Sequence, residues 1–271
     1  MTGLVTSTRM YNAAPAVEGA WRALFQRLFA DCALDVQFIE HGYPQPIDTL
    51  WSDPRLFSAF MCGWPFARTH GRMQPIAVPV PAPSRYEGLP RYCSEFLVRG
   101  ESGWASVEAT FGHRIGWMAR DSQSGYNAPR ALLAQHVTPD RPRLYRESVG
   151  PLVTPMRALD ALRAAEVDVV ALDSFFLDLL RHHAPGKLAG LDTIATTPWT
   201  PMPLLVAAPA VSDTTVERLR DRLLSVHEAP GYASLLADVL VARFVRPDVP
   251  GYAVFEAIAS CAIAHGYAEI T

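Results

Sequence analysis

A chain of 271 residues with 49% hydrophobic and 19% charged side chains is globular and long enough for two α/β lobes, which excludes a disordered or fibrous protein. Its formal net charge of −3, with no basic stripe, excludes an electrostatic footprint for nucleic acid or an anionic membrane surface. No apolar run approaches the roughly 20 residues of a membrane span, so direct membrane insertion is not expected.

The chain opens "MTGLVTSTRMYN", with neither the basic nor the apolar region of a secretory signal. As it stands this reads as cytoplasmic; removal of an export signal would make it periplasmic. "LVTSTRM" predicts the first strand. Val17, Trp21, Leu24, Phe25, Leu28 and Phe29 then follow helical spacing, and Pro15 suits the first turn. "DVQFIE" and "LFSAFM" read as strands, separated by a loop with room for one short helix. The prolines of "QPIAVPVPAP" cannot donate to a ladder, which predicts an edge or crossing strand.

"YCSEFLVRG" is the next strand, and "SVEATFGH" a short helix capped by Ser106. "RIGWMA" feeds a polar turn and a helix within "RDSQSGYNAPRALLAQ". "VTPMRALDALRAAE" is a helix, "VDVVALD" a buried strand of the parallel kind, and "SFFLDLLRHH" a helix. "DTIATTPWTPMPLLVAAP" holds two strand pieces, interrupted at Pro198 and Pro201. Three helical stretches close the chain: "DTTVERLRDRLLSVH", "GYASLLADVLVARF" and "GYAVFEAIASCAIAHGYA".

Strands alternating with helices predict mostly parallel sheets, which take ligands beyond the carboxyl ends of their strands. Those ends are Met10-Tyr11-Asn12, Cys62-Gly63-Trp64, Asp121 to Ser124, and Asp173-Ser174, with Trp199 in the strand-crossing "TTPWTP". Each has an aromatic close by. Gly63 offers an unusual backbone angle or a close approach to a ligand. Cys62 has only His70 near it in sequence and reads as a small buried residue. Phe66 reads as core, and Trp64 as either a core plug or a ligand wall. One of Ser122 and Ser124 is expected to cap the following helix, leaving the other for a ligand. Asp173 suits either a ligand donor or a structural ion pair. The histidines are scattered, the cysteines (Cys32, Cys62, Cys93, Cys261) lack C-x-x-C spacing, and no nucleotide or hydrolase motif occurs. No metal or cofactor is expected.

The order of "STRMYNAAP", "FMCGWPFA", "DSQSGYNAPRA" and "VDVVALDSFFLDLL" resembles the phosphate/phosphite/phosphonate-type substrate-binding proteins of ABC transporters, across nearly the whole chain. The resemblance implies a type II periplasmic-binding-protein fold. Two α/β lobes, residues 1–93 with 198–271 and residues 94–197, would be joined by two crossover strands and close on a small ligand by hinge motion. Both termini would lie on one lobe. Carried over residue by residue, it makes Tyr11, Cys62, Gly63, Trp64, Ser122, Ser124, Gly125, Tyr126 and Asp173 ligand-facing, with Trp199 at the second crossing. It implies a permease partner and no catalytic residues.

Two departures point to a divergent ligand. Asp121 places a negative charge where a phosphonate would sit, and Pro155 and Ala158 stand where polar ligand groups are expected. Weak or no methylphosphonate binding follows, with Tyr11, Trp64 and Tyr126 offering flat walls to a small planar or cationic ligand. The alternative is a cytosolic enzyme of dehydratase or biosynthetic type on the same two-lobe fold.

Overall fold

The computed structural model describes residues 3–271; residues 1–2, which begin the expected first lobe, lie outside them. In chain order, β1 (Leu4–Ser7) and a 3-10 turn (Arg9–Tyr11) lead to α1 (Pro15–Asp31), β2 (Val36–Phe38) and α2 (Ile47–Trp51). Then come β3 (Leu56–Met61), α3 (Gly63–Ala67), β4 (Gln74–Pro81), β5 (Arg91–Tyr92), β6 (Ser94–Arg99) and β7 (Arg114–Gly116). A π-helical turn (Gln123–Asn127) runs into α4 (Ala128–Ala134), followed by β8 (Glu147–Val149), α5 (Pro155–Arg163), β9 (Val169–Asp173) and α6 (Ser174–His183). The last third holds β10 (Leu191–Thr196), β11 (Thr200–Pro201), β12 (Leu204–Ala207), α7 (Asp213–Ser225), α8 (Ala233–Asp238), β13 (Val241–Val245) and α9 (Val254–Ala264).

The chain forms two compact units. One comprises the residues up to Arg91 with Pro201–Tyr252, the other Tyr92–Thr200 with Ala253–Thr271. The tail is a correction to the sequence reading, which put residues 198–271 whole, and so both termini, on the first lobe. Its apolar residues explain the difference: Ala262, Tyr267 and Ile270 are buried in one core with Phe96, Ile115, Leu133, Tyr145 and Val169. The chain therefore passes between units at residues 91–92, 200–201 and 252–253.

Among the described residues the first unit has a six-stranded sheet in the order β13-β4-β12-β3-β1-β2. The second has a five-stranded sheet, β10-β6-β9-β7-β8. Both are mixed rather than mostly parallel. β1 runs parallel to β2 and β3, and β7 to β8 and β9, but β12, β13, β6 and β10 pair antiparallel. β6 and β12 each follow a passage between units, so no right-handed helix crossover constrains their direction.

In the first unit all six apolar residues that define the α1 face are buried. β3 is buried along its whole length, which accounts for its near-continuous apolar sequence. Phe60 of β3 meets Trp21 edge-on at 5.1 Å and Tyr11 at 4.9 Å, contacts worth about 0.5–1.5 kcal/mol each beyond area burial. β4 is internal, contrary to the edge reading of its prolines. Gln74–Ala77 register against β12 and Val78–Pro81 against β13, so each half of the strand has its own neighbour. The missing proline N–H groups then fall on one ladder at a time, and both pairings shift register to absorb them. "GYASLLADVLVARF" also splits: α8 stops at Asp238, Leu240 turns at a φ of 53°, and Val241–Val245 form a strand.

In the second unit the Asp168 carboxylate ties three strands together. It accepts from Arg99 Nη2 of β6 at 2.9 Å and from Arg114 Nε of β7 at 3.0 Å, just before β9 begins. Burial pushes this carboxyl up, but the two guanidinium groups outweigh burial and hold it well below its ordinary value. The helix expected at "SVEATFGH" is one 3-10 turn, Glu108–Thr110, preceded by Val107; Ser106 bonds the Glu108 carboxylate instead of capping. The stretch from Asp192 to Pro209 contains three strand pieces rather than two.

Candidate functional site

In the first unit the parallel register of β1 and β3, with Ser7 opposite Ala59, brings Tyr11 and Cys62-Gly63-Trp64 to the same end of the sheet. Cys62 is the extended residue that starts α3, and it is half-buried rather than buried. Gly63 is the first helical residue of α3 and its φ is not positive, so the unusual backbone angle expected of it is corrected. Over one helical turn the two rings separate. Phe66 is buried against Tyr252 at 5.3 Å, while Trp64 stays half-buried under the Arg68 guanidinium, 5.4 Å from its ring centre. Tyr11 is fully buried in the Trp21–Phe60 cluster, so its ring is not an open wall. Beside it, Asn12 Oδ1 and Trp21 Nε1 are buried with no hydrogen-bond partner among the described residues.

In the second unit β7 and β9 are parallel neighbours, with Gly116 opposite Val170, so the Ser122–Tyr126 turn and Asp173 follow the same end of that sheet. Ser122 takes the capping role: its Oγ accepts from the Gly125 N–H at 3.0 Å. Ser124, also buried, is the other serine. Gly125 is required by contact. A Cβ there would lie 2.2 Å from Met118 Cγ and 2.6 Å from Met118 Cβ. Tyr126 is buried, with Trp117 edge-on at 5.3 Å and the Arg130 and Arg120 guanidinium groups 5.5 and 6.0 Å from its centre. Two guanidinium groups thus lie against a ring that the sequence reading offered to a planar or cationic ligand.

Asp173 caps α6, its Oδ1 accepting from the N–H groups of Phe175 at 2.7 Å and Phe176 at 3.0 Å. Trp199 is 40% exposed just before β11. At the α5 start Thr154 Oγ1 accepts from the Arg157 N–H at 3.2 Å, Pro155 is the first helical residue, and Ala158 is buried. The polar groups missing from the sequence at 155 and 158 are thus not replaced by the adjacent Thr154 hydroxyl, which serves the helix.

Sequence reasoning placed Gln123 at the strand end without giving it a role, and missed Asn127 and Arg130 behind the turn. Gln123, 1% exposed, accepts from Asn127 Nδ2 at 2.8 Å, and its own Nε2 has no partner among the described residues. Asn127 also donates to the Phe255 carbonyl at 3.2 Å. Arg130, 8% exposed, donates to the carbonyls of Ala268 at 2.5 Å and Ala259 at 3.4 Å and to Asn127 Oδ1 at 3.2 Å. Positions 123, 127 and 130 share one helix face, a pattern visible only if the helix is begun at Gln123. Burial draws the Arg130 pKa below its ordinary value. Among the described residues no group of three or more His, Cys, Asp or Glu is arranged to hold a metal ion.

Fold comparison places this architecture among binding proteins. A binding-protein component of an ABC phosphonate transporter from Pseudomonas aeruginosa superposes with a TM-score of 0.77 at 18% identity, covering 97% of this chain and 88% of that one. A Prochlorococcus marinus protein in complex with methylphosphonate gives 0.76 at 15% identity, covering 95% and 97%. A Xanthomonas citri protein bound to ATP gives 0.64 at 16%, covering 97% of each. At such identities these likenesses establish the type II periplasmic-binding-protein fold. No curated protein sequence matches the chain significantly. Among the described residues no helix is long and apolar enough to cross a membrane.

Residues 56–252 match the family described as the periplasmic substrate-binding protein of phosphonate ABC transporters. Such proteins bind small molecules and work with a permease; the family is not one of enzymes. The match spans the β3, β7 and β9 strand ends together. The chain belongs to the phosphonate-type ABC transporter substrate-binding protein family, and its function is solute binding.

Proposed function

We propose that this chain captures its solute in the periplasm for an ABC permease, and that the strand-end residues of each unit supply the contacts. The observation that carries this reading is the Gln123–Asn127 turn. Five successive buried residues follow a strand end and open a helix, and the Gln123 amide nitrogen has no acceptor among the described residues. A buried donor left unmatched costs about 1–3 kcal/mol, which an acceptor on a ligand removes.

In this reading Ser124, Gly125 and Tyr126 line the polar side in the second unit. Ser122 and Asp173 hold the local backbone through their caps, and Trp199 contributes exposed ring surface. In the first unit Trp64 provides apolar area, with Tyr11, Cys62 and Gly63 setting the strand end around it. The ligand diverges from that of the methylphosphonate-bound relative, because Asp121 is acidic and Pro155 and Ala158 offer no hydrogen bonds. A dehydratase or biosynthetic enzyme on the same fold draws no support from the family match.

The test is a thermal-shift screen of phosphonates, amino acids, polyamines and heterocycles, since a ligand that binds only the native state raises its melting temperature. At least one class should give a saturable rise without being consumed, and methylphosphonate should give little. A screen with no saturable response, or turnover of the stabilising compound, contradicts the reading.

A further inference from the structure

The connection from β2 to α2 leaves the first unit's sheet at the end that carries Tyr11, because β2 runs parallel to β1 with Thr6 opposite Phe38. At its start the Ile39 N–H donates to the Thr6 carbonyl at 2.9 Å. Further on, the Gln45 N–H donates to the Gly42 carbonyl at 3.1 Å, inside the connection itself. Gly42 to Pro46 are exposed, Tyr43 by 59%. A side chain ties this segment back to β1. The Arg9 guanidinium bonds His41 Nδ1, His41 Nε2 lies 2.8 Å from Thr49 Oγ1, and the Thr49 hydroxyl donates to the Pro46 carbonyl at 2.7 Å.

The direction of this chain of bonds fixes the charge of His41. A guanidinium only donates, so Nδ1 accepts, and Nε2 carries the proton that Thr49 accepts. The imidazole is therefore neutral. A second proton, on Nδ1, would set donor against donor and bring two positive charges together. The charged groups acting on His41 are Arg9, from the turn after β1, and Asp48 of α2; its chain neighbour Glu40 is exposed. Burial first, and Arg9 second, hold the imidazole below its ordinary pKa, with Asp48 in opposition.

We propose that the β2–α2 connection is a pH-sensitive strap: with His41 neutral, the Arg9–His41–Thr49 chain holds it against the end of β1, and protonation of His41 releases it. The bistable element is the exposed stretch around Tyr43, and the bond that switches is the one between Arg9 and His41. Acid breaks that bond from both sides, since Nδ1 stops accepting and the imidazolium repels the guanidinium. Release frees Arg9 and lets Tyr43 move at the sheet end where Tyr11 and Trp64 lie. In the solute-binding reading this makes the first unit's strand ends respond to pH.

The experiment uses the full chain as wild type, His41→Gln and Arg9→Gln, without solute, so its outcome does not depend on what the protein binds. NMR follows the His41 ring nitrogens and the heteronuclear NOE of the Gly42, Tyr43 and Gln45 amides from about pH 8 to about pH 5. In the wild type the ring should carry its proton on Nε2 at the alkaline end and titrate below an ordinary histidine. The three amides should be as rigid as α1 there and lose order with the same midpoint as the ring. His41→Gln, which offers Arg9 an acceptor and Thr49 a donor but does not titrate, should keep the amides rigid throughout. Arg9→Gln keeps a donor for Nδ1 but removes the repelling charge, so both midpoints should rise together. A neutral ring protonated on Nδ1, amides that stay rigid while the ring titrates, or amides disordered at every pH overturn the inference. So does a midpoint in Arg9→Gln that moves for the ring alone, or an unchanged loss of order in His41→Gln. The wild-type comparison of ring and amide midpoints decides the matter even if a variant fails to fold.

Discussion

Trp64 and Trp21 carry the same side chain into different surroundings. Trp21 is fully buried in an aromatic cluster, and Trp21→Ala should cost about 3–5 kcal/mol in urea denaturation. Trp64 is half-buried at a strand end, and Trp64→Ala should cost well below about 3 kcal/mol. A melting point as low for Trp64→Ala as for Trp21→Ala would make Trp64 a core residue. Gly125→Ala forces a methyl group onto Met118 and should destabilise by about 1–3 kcal/mol, with loss of ligand response in the screen. A Gly125→Ala protein with wild-type stability and binding would show that the turn has room to shift. At this scale the sequence located the strand ends but not which way their side chains point. A strand end and its turn read alike in sequence whether they bury a ring, as at Tyr11, or leave it half out, as at Trp64. Arg130 was invisible because two of its acceptors are backbone carbonyls 129 or more residues away.

Helices α1 and α6 and strand β3 were legible because each combines one clear period with a marked boundary, Pro15 for α1 and Asp173 for α6. β13 was not. Its apolar run follows α8 without a proline or glycine, and only the pairing with β4 makes it a strand. The direction of the antiparallel strands was equally hidden, being set by where the chain re-enters each sheet. The Asp168 junction gives an element-level prediction about pH. Its folded pKa lies below the unfolded value of about 4, so its stabilisation is complete above that value and is lost as pH falls below it. Urea midpoints measured from neutral pH downward should fall in this acidic window. Asp168→Asn should lower stability at neutral pH by about 3 kcal/mol, because it leaves Arg99 and Arg114 unneutralised, and should flatten the acid-side decline. An unchanged decline in Asp168→Asn would place the acid sensitivity elsewhere.

At the scale of the whole molecule, the order of four motifs was enough to identify the family, whereas the division of the tail required its packing. Tyr267 and Ile270 are buried in the core of the second unit, and burial raises the Tyr267 hydroxyl to about 12. Removing residues 265–271 should therefore destabilise the second unit and expose its strands to proteolysis before those of the first; equal protection in both units would contradict that assignment. The central claim is that residues at the strand ends of each unit hold the solute. It is tested most directly by isothermal titration of the strongest compound from the screen into wild-type, Trp64→Ala and Ser124→Ala proteins. The account predicts saturable binding to the wild type, weakened at least about tenfold by each substitution while the unliganded variants keep near-wild-type melting temperatures. Undiminished binding in either folded variant would contradict it.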